Sequence, residues 1–347
     1  MKKIASITFH WAANYGAVLQ AFALQKFLKN KGFDTEIIDY IPFRIWVISC
    51  LMSLKKRDFS FFKKLYKFRK FKKENLSISK KKYFNNKSLF KAQNNYSAIV
   101  CGSDQIWNKA FTTRAEGKPT LSYFLNFAGE NTKRISYATS FGATELDQKT
   151  TNLFKCETQK FSAISVRENT AKQILSNIGI DSKVVVDPTL LLEEKDYSFL
   201  LKDKNYNSEF DVLTYIIHSN QTQSNEINNY VAEKYNGSNY IIKDCDIYEW
   251  LARIKNSKIV VTNSFHGTVF SLIFHKPFIT VAVPGSGMND RLTTLLSSVG
   301  LSERFLDNFN KETIDELIEK DINWQEVDRK INDLKSMSEE FLLEALN

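Results

Sequence analysis

The stretch KIVVTNSFHGTVFSLIFHKPFITV, Lys258 to Val281, decides the fold. KIVVT is a short run of β-branched residues, the signature of a buried strand. Asn263 and Ser264 follow, and both are residues that cap a helix. From Phe265 the pattern reads as helix, and PFITVAV, Pro277 to Val283, reads as a second strand. Strand, tight turn, helix and strand in immediate succession make a parallel α/β unit.

The same alternation extends in both directions from this stretch. Upstream of it the strand candidates are Ile4–Phe9, Thr35–Tyr40, Ser97–Gly102, Ile135–Thr139, Ser162–Arg167, Lys183–Pro188, Asp211–Ile217 and Tyr240–Ile242. Helices are expected over Ala17–Asn30, Asn169–Ile178, Ser224–Tyr235 and Ile247–Ile254, then from Arg291 and from Trp324. Val18, Ala21, Leu24 and Leu28 recur three or four residues apart, which gives the first helix one buried stripe. Glu193–Glu209 is more polar and reads as a hinge or linker. The expected fold class is therefore α/β, with two Rossmann-like doubly wound domains facing a cleft. Their expected extents are 1–192 and 210–323, with a C-terminal helix over 324–347.

The chain's 347 residues suffice for two domains with a sizeable core, and 43 % hydrophobic against 25 % charged residues excludes general disorder. No apolar run approaches the ~18 residues of a membrane span. MKKIASITF reads as a first strand rather than a signal peptide, because its apolar core is too short. Cys50, Cys101, Cys156 and Cys245 form no CxxC pair, which argues against a zinc or redox motif and suits a reducing cytoplasm. No GxGxxG marks a dinucleotide site, and no DxD pair demands a divalent cation, so no metal or cofactor is expected.

The net charge of +9 is concentrated in one insert. Arg44–Lys91 holds sixteen basic residues against Asp58 and Glu74, a surplus of fourteen, so the remainder of the chain is net negative. A nucleic-acid partner does not follow from the overall charge, and no recognition motif accompanies the patch. Phe61, Leu65 and Phe68 fall on one helical face, flanked by Lys63, Lys64, Lys67 and Lys70. That composition suits a helix lying on an anionic membrane, and equally a helix packing its aromatics on the domain with its lysines solvated.

Several residues fall where such sheets bind ligands. His266 lies in the first turn of a helix whose N–H groups and dipole attract an anion, with Asn263, Ser264 and Gly267 beside it. It can serve as a proton donor there, or simply help the helix start. Arg167 ends a strand, where its guanidinium can hold a carboxylate or phosphate, or form a surface ion pair with Glu168 or a neighbouring acid. His10, Asn14 and Gly16 lie in the turn after the first strand, and His10 has both a structural and a cleft-facing reading. Ser103 and Asp104 end another central strand, where Asp104 can bind acceptor hydroxyls or cap the next turn. Arg291 opens a helix after a glycine-bearing loop and is a second anion ligand, unless Asp290 neutralises it. A cation at a helix C-terminus is favourable whatever the function, which is the simplest account of His275 and Lys276.

In this order, NYGAVLQAFALQ, GSDQIWN, SVREN, VVDPTLLL and NSFHGTVFSLIFHKPF resemble the polysaccharide pyruvyl transferase family, over roughly Ile4 to Leu306. The resemblance implies two Rossmann-like domains arranged as in GT-B glycosyltransferases. It also implies transfer of the pyruvyl group of phosphoenolpyruvate onto two sugar hydroxyls, giving a cyclic ketal and phosphate. It casts His266 as general acid/base and Arg167 as a holder of phosphoenolpyruvate, with the acceptor on the N-terminal domain and phosphoenolpyruvate on the C-terminal one. The implied partners are phosphoenolpyruvate and a sugar acceptor of a bacterial surface polysaccharide or its lipid-linked precursor; a lipid-linked acceptor would give a reason for the peripheral membrane contact that the composition of 44–91 suits. Some members have Arg-Leu-His where this chain has Ser264-Phe265-His266. The cation that arginine supplies must then come from elsewhere, and Lys276 and Arg291 are the candidates. The alternatives are a nucleotide-sugar-dependent GT-B glycosyltransferase and a non-catalytic scaffold of polysaccharide assembly.

Overall fold

The structure is a computed structural model that describes residues 3–48, 59–117, 120–202, 204, 206, 210–217, 222–235, 239–242 and 245–347. The chain divides into two units, Met1–Leu191 with Leu334–Asn347, and Leu192–Asp333. Each is built on its own parallel sheet.

The first sheet contains β1 (Ile4–Ile7), β2 (Thr35–Tyr40), β3 (Ile78–Tyr83), β4 (Ala98–Cys101), β5 (Lys133–Thr139), β6 (Ala163–Val166) and β7 (Lys183–Val184). Their order is β3-β2-β1-β4-β5-β6-β7. All the pairings in it are parallel. The direction of winding reverses between β1 and β4, so the carboxyl ends of those two strands form the topological switch point. IASI of β1 and AIVC of β4 are buried at every position, because helices cover both faces of the sheet. The helix Tyr15–Asn30 joins β1 to β2. Asn14 caps it by accepting the Ala17 N–H at 3.0 Å.

The second sheet contains β8 (Phe210–Tyr215), β9 (Asn239–Ile241), β10 (Ser257–Thr262), β11 (Phe278–Val281) and β12 (Phe305–Leu306). Its order is β12-β11-β10-β8-β9, again parallel, with the switch point between β8 and β10.

Three sequence expectations change. The linker read over 193–209 contains the helix Glu194–Leu201, which belongs to the second unit. Tyr197 of that helix is fully buried, edge-on against Phe270 with ring centroids 4.8 Å apart, so a polar composition hid an anchored helix. The C-terminal helix Trp324–Leu346 does not stay apart, since its residues from Leu334 onward pack into the first unit. The basic helix Phe59–Asn75 sets its buried rings against the domain. Phe68 meets Tyr15 at 5.2 Å and Phe71 meets Phe22 at 6.0 Å, so Phe68 is not on an outward face. Phe61 and residues 49–58 of the insert lie outside the described side chains.

Candidate functional site

In the first unit a buried polar cluster lies at the carboxyl ends of β4, β5 and β6. Arg167, just past β6, donates from Nη1 to Asp187 Oδ2 at 2.6 Å and to Ser103 Oγ at 3.2 Å. Ser103 Oγ donates to the same Asp187 oxygen at 2.7 Å, and Thr189 fills Oδ1 with its N–H at 3.0 Å and its hydroxyl at 2.7 Å. Asp187 thus has a donor on both oxygens, as a buried carboxylate requires. Asp104 Oδ1 stands 3.9 Å from Arg167 Nη2, and its carboxylate remains partly exposed. Glu168, next in sequence, turns the other way and accepts from Ser140 Oγ and the Phe141 N–H at 2.8 and 2.9 Å. The partner of Arg167 is therefore a buried aspartate twenty positions on rather than a surface Glu168.

The backbone is strained at the same place. Asp104 has φ +83° and Ala138 has φ +51°, in the region that side-chain-bearing residues avoid at a cost of about 1–3 kcal/mol each. Ala138 sits where β5 slips register between Ser136 and Thr139, and Ser140 N–H then bonds the Asp104 carbonyl at 3.0 Å. The slip carries Thr139 beside Asp104.

His10 takes no part in this cluster. Its ring is 1 % exposed, with Nδ1 3.2 Å from the Thr8 carbonyl and Nε2 3.4 Å from Asp39. Lys72 Nζ donates to the His10 carbonyl at 3.2 Å, and burial pulls that amine down to about 8. The cleft-facing reading of His10 gives way to a structural one, because the imidazole is turned into the domain toward β2. Gly16 is buried in the first turn of the helix that exposed Asn14 caps.

In the second unit the turn after β10 lies at the switch point. Thr262 Oγ1 donates to the Tyr215 carbonyl at the end of β8 at 2.6 Å and accepts the Ser264 N–H at 3.0 Å. Asn263 Oδ1 accepts the Ile217 N–H at 2.8 Å, tying the two strand ends together, while its Nδ2 is buried without a hydrogen-bond partner among the described residues. Ser264 caps the helix Phe265–Ile273 by accepting the Gly267 N–H at 3.3 Å. Gly267 allows that helix to press on the strand, since a Cβ there would lie 2.5 Å from Thr262 Oγ1.

His266 stands in the first turn, 7 % exposed, with Phe265 edge-on at 5.3 Å. The Arg291 guanidinium covers the same Phe265 ring at 5.6 Å, so the structure brings Arg291 to the His266 neighbourhood. Tyr215, which the sequence reading passed over, is buried at the carboxyl end of β8. Burial holds that phenol well above its ordinary range.

Lys276 is not at this site. It lies just before Pro277 and β11, at the amino edge of the sheet, beyond a helix that carries the chain about 10 Å from His266 to Ile273 at ~1.5 Å per residue. Of the two candidate cations, Arg291 alone remains near the histidine. His275 stacks on Trp324 at 4.9 Å and pairs with Asp328 at 2.9 Å, and so serves that helix end. Among the described residues no three His, Cys, Asp or Glu side chains converge as a metal site.

Two parallel α/β units, each with its polar residues at the carboxyl ends of its strands, define a Rossmann-like chain of the GT-B class. Solved structures agree. The UDP-GlcNAc 2-epimerase from Neisseria meningitidis bound to UDP-GlcNAc superposes with TM-score 0.53 at 11 % identity, over 99 % of this chain and 100 % of that one. The UDP-N-acetylglucosamine 2-epimerase from Rickettsia bellii gives 0.53 at 8 % identity, over 100 % and 97 %. The UDP-GlcNAc 2-epimerase from Methanocaldococcus jannaschii gives 0.53 at 12 % identity, over 92 % and 93 %. At such identities the likeness establishes the fold alone. No curated protein matches the chain by sequence. The family is defined by its sequence pattern: the model of the polysaccharide pyruvyl transferases matches residues 14–284, and the chain belongs to that family.

Proposed function

We propose that this protein transfers the pyruvyl group of phosphoenolpyruvate onto two hydroxyls of a sugar, forming a cyclic ketal and releasing phosphate. The acceptor in this reading is a sugar of a cell-surface polysaccharide or of its lipid-linked precursor. The observation that carries the proposal is His266 in the first turn of a helix at a switch point, with Arg291 across Phe265.

Phosphoenolpyruvate bears a carboxylate and a phosphate, so its pocket needs cations and N–H donors. A helix N-terminus and a guanidinium supply both. Protonated His266 gives its proton to the CH2 carbon of the enol, which becomes the methyl group. The first sugar hydroxyl adds to the central carbon, and the C–O bond to phosphate breaks with its electron pair on phosphate. The second hydroxyl then adds to the same carbon and closes the ketal. Of the two hydroxyl protons, one restores the imidazolium and the other leaves on phosphate. Arg167 is assigned to hold an anionic group of a substrate, with Asp187 fixing its Nη1 edge. The site of action in this reading is the cytoplasm, where cysteines outside any CxxC pair stay reduced.

The test is phosphate release from phosphoenolpyruvate across a panel of free and lipid-linked glycosides, with mass detection of the pyruvylated product. His266→Ala is expected to lower turnover by about 10²–10⁴ with circular dichroism unchanged. Unchanged turnover removes His266 from the chemistry. Phosphoenolpyruvate that is not consumed with any glycoside removes the activity.

A further inference from the structure

Residues 43–48 are helical and follow β2 directly. Phe43, Trp46 and Ile48 on this turn are 57 %, 45 % and 39 % exposed, an apolar group that a solvated surface has no reason to gather. The rings are held in place. Phe43 and Trp46 stack with centroids 5.8 Å apart, and Trp46 packs edge-on against Phe84 at 5.9 Å. The Phe43 N–H donates to the Phe84 carbonyl at 2.7 Å, and the Arg44 side chain rests against Gly117.

Phe84 also fixes the charge around this turn. Edge strand β3 leads into it with Lys80, Lys81 and Lys82 exposed, and exposed Lys87 follows three residues after it. No acidic residue occurs between Leu76 and Ser103. The carboxylates that bound that stretch in sequence are Glu74 and Asp104, and Glu116 beyond them is engaged by the Tyr40 and Ser122 hydroxyls. The basic helix Phe59–Asn75 adds exposed Lys63, Lys70 and Lys73 on the same unit but turns Phe68 and Phe71 inward. Among the described side chains, residues 43–48 present two exposed aromatic rings and the basic helix presents one, Tyr66.

Fixed aromatic rings that include a tryptophan, an aliphatic neighbour and lysines from a stretch of chain that carries no acid match one partner chemistry, the headgroup region of an anionic bilayer. A nucleic-acid strand is the poorer fit. Phe43 and Trp46 stack on each other, which takes one face of each ring away from any base. We propose that Phe43, Trp46 and Ile48 enter the interface of anionic phospholipid membranes while Lys80, Lys81, Lys82 and Lys87 meet the headgroups. This surface is independent of the pyruvyl-transfer reading, and its test involves no turnover.

The full chain is sedimented with vesicles of phosphatidylcholine alone and of phosphatidylcholine mixed with phosphatidylglycerol, at low and at high salt. Binding is expected to the mixed vesicles only, and to weaken at high salt. The exposed pair Phe43→Ser with Trp46→Ser is expected to abolish it with circular dichroism unchanged. Lys81→Gln and Lys87→Gln are each expected to cost about fivefold in affinity, the equivalent of roughly 1 kcal/mol per basic residue near such a surface. Absence of binding to mixed vesicles overturns the proposal. So does binding that the aromatic pair does not affect, or retention on duplex DNA with none on vesicles.

Discussion

Replacing Gly267 by Ala tests the geometry that holds His266. The new Cβ would lie 2.5 Å from Thr262 Oγ1 and 3.1 Å from both Thr262 Cβ and Cγ2. Thr262 cannot swing aside, because its hydroxyl bridges the Tyr215 carbonyl and the Ser264 N–H. The helix must therefore lift from β10, at an overpacking cost of about 1–3 kcal/mol. The better helix propensity of Ala returns about 0.5–1 kcal/mol. The net loss is roughly 0.5–2 kcal/mol, or about 2–6 °C in the melting temperature of the second unit. A displacement of His266 by about 1 Å then lowers turnover roughly 100-fold. Thermal and urea unfolding read the first effect, and phosphate release reads the second. The decisive comparison adds Thr262→Ala, which removes Oγ1 and Cγ2. On that background Gly267→Ala should cost almost nothing, a coupling of about 0.5–2 kcal/mol between the two sites. An equal cost on both backgrounds, or a single variant as stable and active as wild type, refutes the close-approach argument.

Asp187→Ala leaves Arg167 buried without its carboxylate and is expected to destabilise the first unit by about 3–5 kcal/mol. Asp187→Asn, which keeps an acceptor for Thr189, should cost less, and urea midpoints of the two variants decide it. Lys72 titrates at about 8 in the folded chain against its ordinary 10.5, because burial opposes its charge and Arg69 and Lys82 add to that, while Asp39 counters. Between those two values the unfolded chain binds more protons, so stability of the first unit should rise with pH through that window. Urea midpoints at its two ends should differ in wild type and converge in Lys72→Met.

The strands were legible because a parallel sheet covered on both faces demands unbroken apolar runs, and AIVC of β4 and IVV of β10 have them. β3 was not legible. ISKKKY buries only Ser79 and Tyr83, since it is an edge strand, and its lysines merged with the basic insert around it. Of the two cap candidates Asn263 and Ser264, the structure takes Ser264, a choice of local chemistry that acts within three residues. Asp187 and Tyr215 were hidden because their roles come from strands that are neighbours only in space. The one available signal was an aspartate before Pro188 at a strand end, a pattern that by itself assigns no partner. Lys276 was misplaced for the reverse reason. Nearness to His266 along the chain puts it at the opposite end of one helix, and hence at the other edge of the sheet.

The return of residues 334–347 to the first unit bears on how the chain matures. Ser338 accepts the Val186 N–H at 3.0 Å, Leu342 is fully buried, and Lys133 reaches the Ala345 carbonyl at 3.4 Å. The sheet that is translated first therefore waits for this late segment before its last-made edge is sealed, although nascent domains ordinarily complete themselves in order. A fragment ending at Leu191 would be a poor stand-in for the amino-terminal half. Adding 334–347 in trans should complete it.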